Sequence, residues 1–250
     1  MTISRLTTPE GRLIAYRKAK GTTPGPGFLW LSGFNSDMQG SKVLALEAWA
    51  KERGNPFLAF DYSGHGEADG AFVDGTISAW REDTLAVLDA LTDGPQILVG
   101  SSMGGWMALL AALARPEKVA GLVLIAPAPD FTQKLMWPDL SAEAKAEIMN
   151  AGVHMQPSDY GDPVPITKAL IEDGEQWQIM DAPIAFDGPV RILQGKEDPD
   201  VPWTHALQLV ELMAAPDLIF SLIKDGDHRL SREEDIARLI ATCGEISERV

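Results

Sequence analysis

Short apolar runs alternate along the chain with longer segments in which apolar residues return every three or four positions. Six short runs are bounded by Gly, Pro or polar residues, which is typical of buried strands. These predicted strands are residues 28–32, 56–61, 96–100, 119–125, 190–194 and 218–223. Residues 11–16 alternate between polar and apolar side chains, which predicts an antiparallel strand at an edge of the sheet.

The longer segments predict helices between these strands. They are residues 41–53, 78–92, 103–114, 203–214 and 231–247. Ser231 and Glu234 have the spacing of a capping box, so we expect the last helix to begin at Ser231. The regular alternation predicts the α/β class, with a mostly parallel central sheet and helices on both faces.

Residues 127–187 interrupt this alternation. They contain several Pro and Gly, helical patterns at 141–149 and 166–171, and no convincing strand. A long excursion between two buried strands usually has a function. We interpret it as a small helical cap over a core of residues 1–126 and 188–250; a peripheral packing subdomain is the alternative.

Composition narrows the class of protein. A chain of 250 residues with 45% hydrophobic residues can form one domain with a substantial core. The formal net charge of −15 makes nucleic acid and anionic membranes unfavourable partners. A single cysteine forms no disulfide within the chain, and no segment approaches the ~20 apolar residues that span a bilayer. We therefore expect a cytoplasmic protein without an integral membrane segment.

The pentapeptide Gly100-Ser101-Ser102-Met103-Gly104 matches the pattern G-x-S-x-G and lies between a predicted strand and a predicted helix. A sharp turn in that position lifts the middle residue above the sheet edge and requires small residues on either side. We interpret Ser102 as a nucleophile, with the Met103 N–H directed at an oxyanion. Glycines that merely permit close packing of helix on strand are the alternative.

A serine nucleophile needs a general base and an acid that orients this base. His228 lies in a polar loop between the last strand and the last helix, and Asp198 follows the strand that ends at residue 194. We interpret His228 as the base and Asp198 as the orienting acid. Three neighbouring acids are alternatives to Asp198, and each also fits an acidic surface loop: Glu197, Asp200 and Asp227.

A second oxyanion donor is expected in the loop after the strand at 28–32, because that loop faces the serine turn across the sheet edge. Phe34, which follows Gly33, is our candidate for this backbone N–H. One such donor stabilises a transition state by ~3 kcal/mol. A mechanism of this kind requires neither a cofactor nor a metal ion.

The other histidines and the cysteine have simpler interpretations. His65 lies between two glycines after a strand, which favours a structural turn over contact with a substrate. We expect His154 and His205 at the surface or in packing contacts. Cys243 has no basic neighbour in the sequence, so we expect a small buried residue rather than a reactive thiol.

These motifs resemble those of the α/β-hydrolase superfamily. The resemblance rests on the pentapeptide at 100–104, on Gly195-Lys-Glu-Asp-Pro-Asp-Val-Pro202, and on Asp227-His228 near the end of the chain. Asp61-Tyr-Ser-Gly-His-Gly66 and Ala114-Arg-Pro-Glu-Lys-Val119 are similar to segments of members that cleave palmitoyl thioesters of proteins and acyl glucuronides. The resemblance implies the α/β-hydrolase fold and the nucleophile, acid and base roles already assigned from the residues.

The predicted function is therefore that of a serine hydrolase that cleaves acyl thioesters or esters of small molecules or acylated proteins. A small-ester carboxylesterase or acyl-glucuronide esterase is the alternative enzyme, and a ligand-binding protein on the same fold is the alternative outside catalysis. Trp137 and Trp177 are candidate substrate contacts in an acyl channel. The full set of candidate channel residues, which could instead pack the cap onto the core, is Leu135, Met136, Trp137, Met155, Trp177, Ile179 and Met180.

Overall fold

A central sheet dominates the computed structural model, which describes residues 2–158 and 161–250. Within these residues the sheet has eight strands in the spatial order 1-2-4-3-5-6-9-10 when all strands are numbered along the chain. They are β1 (Ser4–Thr7), β2 (Leu13–Ala19), β3 (Gly27–Leu31), β4 (Phe57–Asp61), β5 (Gln96–Ser101), β6 (Val119–Ile125), β9 (Val190–Gly195) and β10 (Leu218–Ile223).

Every neighbouring pair from β4 to β10 is parallel, whereas β2 pairs antiparallel with both β1 and β4. The mostly parallel sheet of an α/β protein is thus confirmed. The prediction that residues 11–16 form an edge strand is wrong in its placement, because β1 lies outside β2, with Ser4 opposite Tyr16. A four-residue strand without an apolar run, Ser-Arg-Leu-Thr, gave no periodic signal of its own.

Helices cover both faces of this sheet, as predicted. Side chains alternate along each strand, so that Leu29 and Leu31 join one buried cluster while Phe28 and Trp30 join the other. The first cluster receives α2 (Ile77–Leu91), α3 (Met103–Ala114) and α7 (Trp203–Leu212). The second receives α1 (Ser41–Arg53) and α8 (Glu233–Ser247).

The start of α8 differs from the prediction. Arg232 is its N-cap, and the Asp235 carboxylate accepts the Arg232 backbone N–H at 3.3 Å and its guanidinium Nε–H at 2.8 Å. Ser231 lies outside the helix and donates to the Arg229 carbonyl at 2.9 Å. The predicted capping box of Ser231 and Glu234 is therefore wrong by one residue, since Asp235 combines burial with reach to the N-cap.

The segment between β6 and β9 contains more than the two predicted helices. Its elements are a π-helical turn (Thr132–Met136) that leads into α4 (Trp137–Asp139), then α5 (Ala142–Ala151), β7 (Val153–Ser158), β8 (Gly161–Thr167) and α6 (Lys168–Glu175). The antiparallel hairpin β7–β8 contradicts the prediction of a purely helical cap without strands. Residues 166–171 do not form one helix: Ile166 pairs with His154 in the hairpin, and Thr167 caps α6 by accepting the Leu170 N–H at 3.1 Å.

One set of contacts joins the two ends of this segment to each other, and another joins it to the rest of the chain. The buried Asp130 carboxylate accepts the N–H groups of Ile179 and Met180, both at 2.9 Å. Farther along, Ile184 bridges to Met213 beside α7. The division into a core and a cap at 127–187 stays a prediction.

The sheet order fixes where a site can form. The chain runs from β3 to β4 on one side and then to β5 on the other side of β3. Loops that leave the carboxyl ends of β3 and β5 therefore enclose a crevice, which is where open α/β sheets bind their ligands.

Candidate active site

The turn after β5 holds Ser102 in a strained conformation with φ 55° and ψ −119°. Glycines permit this turn because the chain passes very close to itself. A Cβ atom on Gly104 would lie 2.0 Å from the Leu31 carbonyl oxygen, and one on Gly100 would lie 2.3 Å from the Gly104 carbonyl oxygen. Strain of this kind persists where the surroundings enforce it, and it raises the Ser102 hydroxyl above the strand ends.

Ser102, His228 and Asp198 meet at the carboxyl edge of the sheet. The Nε2 atom of His228 lies 3.1 Å from the Ser102 Oγ, and its Nδ1 atom lies 2.8 Å from the Asp198 Oδ2. These contacts join residues that are 126 and 30 positions apart in the chain. The order of contacts, hydroxyl to imidazole to carboxylate, is the one that lets an imidazole accept a serine proton while a buried carboxylate stabilises its charge.

Hydrogen bonds hold the Asp198 carboxylate in this orientation. Its Oδ1 accepts the N–H groups of Asp200 at 2.9 Å and Val201 at 2.8 Å, and its Oδ2 accepts the Gln194 side-chain amide at 3.1 Å. With His228 as a fourth partner, the carboxylate is fully engaged. Asp198, Asp200 and His228 are close enough to suit a cation, but the ligand atoms of Asp198 are already occupied by these four hydrogen bonds.

Burial distinguishes Asp198 from the competing acids. Glu197, Asp200 and Asp227 are exposed, whereas Asp198 is 7% exposed. Asp227 instead accepts the Leu230 N–H at 2.8 Å, which shapes the loop that carries His228.

The loop after β3 lies directly beside the serine turn. A Cβ atom on Gly33 would be 3.4 Å from the Ser102 Cβ. Phe34 follows, and its ring packs on Phe72 with 4.9 Å between centroids. Among the hydrogen bonds of residues 2–158 and 161–250, none is donated by the backbone N–H of Phe34 or of Met103. Two backbone donors at the serine turn and beside it thus have no acceptor among the described residues.

The loop after β4 fixes the loop that carries Phe34. Asp61 accepts the Met38 N–H at 2.7 Å, and the Nε2 atom of His65 accepts the Asn35 N–H at 3.2 Å. Burial lowers the pKa of His65 to about 4, so the imidazole is neutral at pH 7 and keeps a lone pair for this contact. His65 is thus a structural histidine, but the structure that it supports belongs to the candidate site.

The two candidate channel tryptophans make packing contacts. The Trp177 Nε1–H donates to the Ser78 Oγ at 2.7 Å, and the Arg81 guanidinium lies 4.4 Å from its ring. Trp137 lies below the Lys145 ammonium at 5.7 Å and joins a small buried cluster around α5. Met155, another candidate channel residue, is 51% exposed on β7.

The remaining residues singled out from the sequence have other surroundings. His205 is buried, and its Nε2–H donates to the Pro129 carbonyl at 2.9 Å. His154 pairs with Glu147 at 2.7 Å. Cys243 is fully buried in α8, and burial raises the pKa of its thiol.

Gln194 and Asp61 escaped the sequence analysis although each orients a part of the site. Each is a fully buried polar residue at or next to the carboxyl end of a buried strand. A polar residue in that position is a signal that could have found both, because burial of an unpaired polar group is costly.

None of the helices in the described ranges has the length and apolar character to cross a membrane. Together, the sheet order, the strained serine turn and the serine–histidine–carboxylate contacts define an α/β hydrolase.

Comparison with known proteins supports the same class of enzyme. The sequence model of the family described as "Serine aminopeptidase, S33" matches residues 29–170. The mouse palmitoyl-protein thioesterase ABHD10, a mitochondrial protein, is 40% identical over 253 residues, which cover all of this chain and 84% of that relative. The chain belongs to this family of α/β hydrolases, and the predicted class, fold and hydrolase nature are confirmed.

Two solved structures are similar over nearly the whole length. A putative hydrolase from Agrobacterium vitis S4 is 43% identical with a TM-score of 0.95, and 98% of each chain is covered. The mouse α/β hydrolase domain-containing protein 10 is 39% identical with a TM-score of 0.89, again with 98% of each chain covered. The similarity extends through the segment between β6 and β9.

Proposed function

We propose that this hydrolase cleaves acyl thioesters or esters through an acyl-enzyme on Ser102, as an S-acyl or palmitoyl-type thioesterase. The observation that carries the proposal is the pair of contacts of His228, at 3.1 Å to the Ser102 Oγ and 2.8 Å to the Asp198 Oδ2. The name of the mouse relative, palmitoyl-protein thioesterase, supports the thioester as the substrate class.

In the proposed mechanism, the Ser102 Oγ attacks the acyl carbonyl carbon while His228 Nε2 accepts the hydroxyl proton. The N–H groups of Met103 and Phe34 bind the oxyanion that forms. Collapse of this intermediate breaks the bond to the thiol or alcohol, which leaves with the proton from His228. A water molecule then gives a proton to His228 and attacks the acyl-enzyme. Collapse of the second oxyanion breaks the bond to the Ser102 Oγ, which takes the proton back from His228, and releases the carboxylic acid.

The proposed oxyanion site predicts an effect of His65. Replacing His65 with Phe keeps the ring contacts with Tyr62, Phe72 and Trp80 but removes the acceptor for the Asn35 N–H. We expect kcat to fall roughly fivefold with little change in KM, since one buried hydrogen bond contributes about 1 kcal/mol. Steady-state kinetics on one ester substrate measure this.

The matched control is His154→Phe, because His154 lies on β7 and pairs with Glu147 of α5. This variant is expected to keep the wild-type kcat. A His65→Phe enzyme with unchanged kcat would show that the contact with Asn35 does not shape the oxyanion site.

A panel of substrates tests the acyl group and the bond. The kcat/KM values are measured for matched thioesters and oxygen esters from acetyl to palmitoyl. Values that rise with chain length on thioesters are the expected result. A preference for short or glucuronide-type oxygen esters would instead support the alternative esterase, and no turnover on the panel with an unlabelled Ser102 would favour the ligand-binding alternative.

Substitutions at Trp137 and Trp177 test the proposed acyl channel. If they line it, replacing either with Ala lowers kcat/KM for the palmitoyl thioester roughly tenfold more than for the acetyl thioester, because a long chain loses buried apolar contact. Trp177→Phe is the control, since it removes the hydrogen bond to Ser78 but keeps an apolar ring. An unchanged chain-length preference in both Ala variants would show that these residues serve only to pack the fold and do not line an acyl channel.

The expected partners and location complete the proposal. Small-molecule or acylated-protein substrates fit the reaction, and the net charge of −15 disfavours nucleic acid. The cytoplasmic location stays a prediction from the sequence; the mouse relative is a mitochondrial protein by name.

A further inference from the structure

Lys42 joins two loops of the candidate active site from the face of the sheet that carries α1. It is the second residue of α1, and its Nζ donates to the Ser101 Oγ at 3.1 Å and to the Arg229 carbonyl oxygen. These two contacts bring together positions that are 59 and 187 residues from Lys42 in the chain. Neither contact is part of the proposed proton transfer.

The partners of Lys42 are sequence neighbours of the reacting residues. Ser101 immediately precedes Ser102 in the serine turn, and Arg229 immediately follows His228 in its loop. We propose that Lys42 is a positioning residue that holds the serine turn and the histidine loop at the spacing needed for proton transfer between Ser102 and His228. This inference rests on the proposed function and adds a residue to it.

The charges around Lys42 come from three other parts of the chain. Asp227 and Arg229 face it from the histidine loop, Asp235 and Arg238 from α8, and Asp198 from the loop after β9. The apolar residues beside it include Ile125, Leu230 and Leu239. An ammonium in this setting is partly removed from water and meets both attractive and repulsive charges.

Keeping a charge in this place lowers the stability of the fold. Burial lowers the pKa of Lys42 from 10.5 to about 8, with Arg229 adding to the shift and the three carboxylates opposing it. Since the folded pKa lies below the unfolded one, the protonated lysine lowers the free energy of unfolding at pH 7, and this loss disappears as the pH rises from 8 towards 10.5. The charge of Lys42 is retained although it lowers the stability of the fold, and it lies next to the proposed reaction centre. Both facts agree with a role of Lys42 in function.

The test replaces Lys42 with Met, which keeps the unbranched side chain as far as its Cε atom and removes the donors of the Nζ. The readouts are the second-order rate constant for reaction of Ser102 with a fluorophosphonate, and kcat and KM on the best ester of the panel. We expect the labelling rate constant and kcat to fall about 100-fold, as for a misplacement of ~1 Å, while KM stays close to the wild-type value. Lys51→Met, an exposed lysine of the same helix, is the matched control and is expected to behave as wild type.

A second variant covers the case in which Lys42→Met does not fold. Ser101→Ala removes one hydroxyl, and we expect a fall of about tenfold in the labelling rate constant from the loss of one charge-assisted hydrogen bond. If both single variants fold, the double variant is expected to lose less than the product of the two effects, because both act through one contact. Thermal unfolding of each variant separates loss of fold from loss of positioning.

The outcomes separate this inference from the proposed function. A wild-type protein that is not labelled at Ser102 would overturn the proposed function itself. A labelled wild type, together with wild-type rate constants in folded Lys42→Met, would overturn the role of Lys42 alone. If only Ser101→Ala folds, a wild-type labelling rate in that variant overturns the role.

Discussion

Replacing Ser102 with Ala is expected to lower kcat/KM on esters or thioesters by a factor on the order of 10⁶, the largest effect of any single change in this protein. The substitution removes the Oγ that lies 3.1 Å from His228 Nε2 and thus the atom that would carry the acyl group. The φ of 55° at this position disfavours alanine as it does serine, so the backbone strain is similar in both proteins. The loss is therefore chemical rather than structural.

Kinetics on the ester panel and labelling by a fluorophosphonate measure this effect together. Wild-type protein is expected to take up one label at Ser102, and the Ala variant none. Ser247→Ala is a suitable control, because its hydroxyl donates to the Gly244 carbonyl at the end of α8, far along the chain from the serine turn. Full activity of Ser102→Ala would rule out the acyl-enzyme.

Replacing Asp198 with Asn is expected to lower kcat about 10⁴-fold, the second largest effect. The carboxylate accepts a hydrogen bond from His228 Nδ1 at 2.8 Å, which leaves Nε2 unprotonated and facing Ser102. An amide of the same size can present its NH₂ group to Nδ1 instead, which places the imidazole proton on Nε2. The base then has no lone pair for the serine proton.

The geometry of Asp198 makes this a clean test. Its Oδ1 accepts two backbone N–H groups, so the amide oxygen of Asn is held in that place and the NH₂ group is directed at His228. Glu197→Gln is the matched control, because it neutralises an exposed neighbouring acid and is expected to keep wild-type kcat. Equal losses in the two variants would mean that loop charge, rather than orientation of His228, supports the reaction.

Local pattern predicted most of the core. Five helices and the seven strands expected from the sequence are all present, and residues 41–53 and 103–114 match α1 and α3 at both ends. Long apolar runs and helical periodicity are strong signals because they reflect burial of one whole element. The glycines of the serine turn could also be recognised from the sequence, because the turn requires small residues at fixed positions within five consecutive residues.

The segment between β6 and β9 shows where such signals fail. The hairpin β7–β8 contains three prolines and has few buried side chains, so nothing in its own sequence favours a strand over a loop. Its strands exist because they pair with each other and because β8 packs on residues 72–74. Helical spacing relates Ile166 to Leu170 and Ile171. In the structure, however, Ile166 belongs to β8, whereas Leu170 and Ile171 belong to α6.

The sequence by itself determined the α/β class, the serine turn, and the order in which a serine, an acid and a histidine follow strand ends. These are local properties: periodicity, small residues at a tight turn, and polar residues after apolar runs. Only the tertiary structure decided that Asp198 contacts His228, that His65 supports the loop of Phe34, and that Lys42 joins the serine turn to the histidine loop. The reason is physical, because each of these contacts joins residues 30 to 187 positions apart, and such pairs meet only when the strands have been placed side by side.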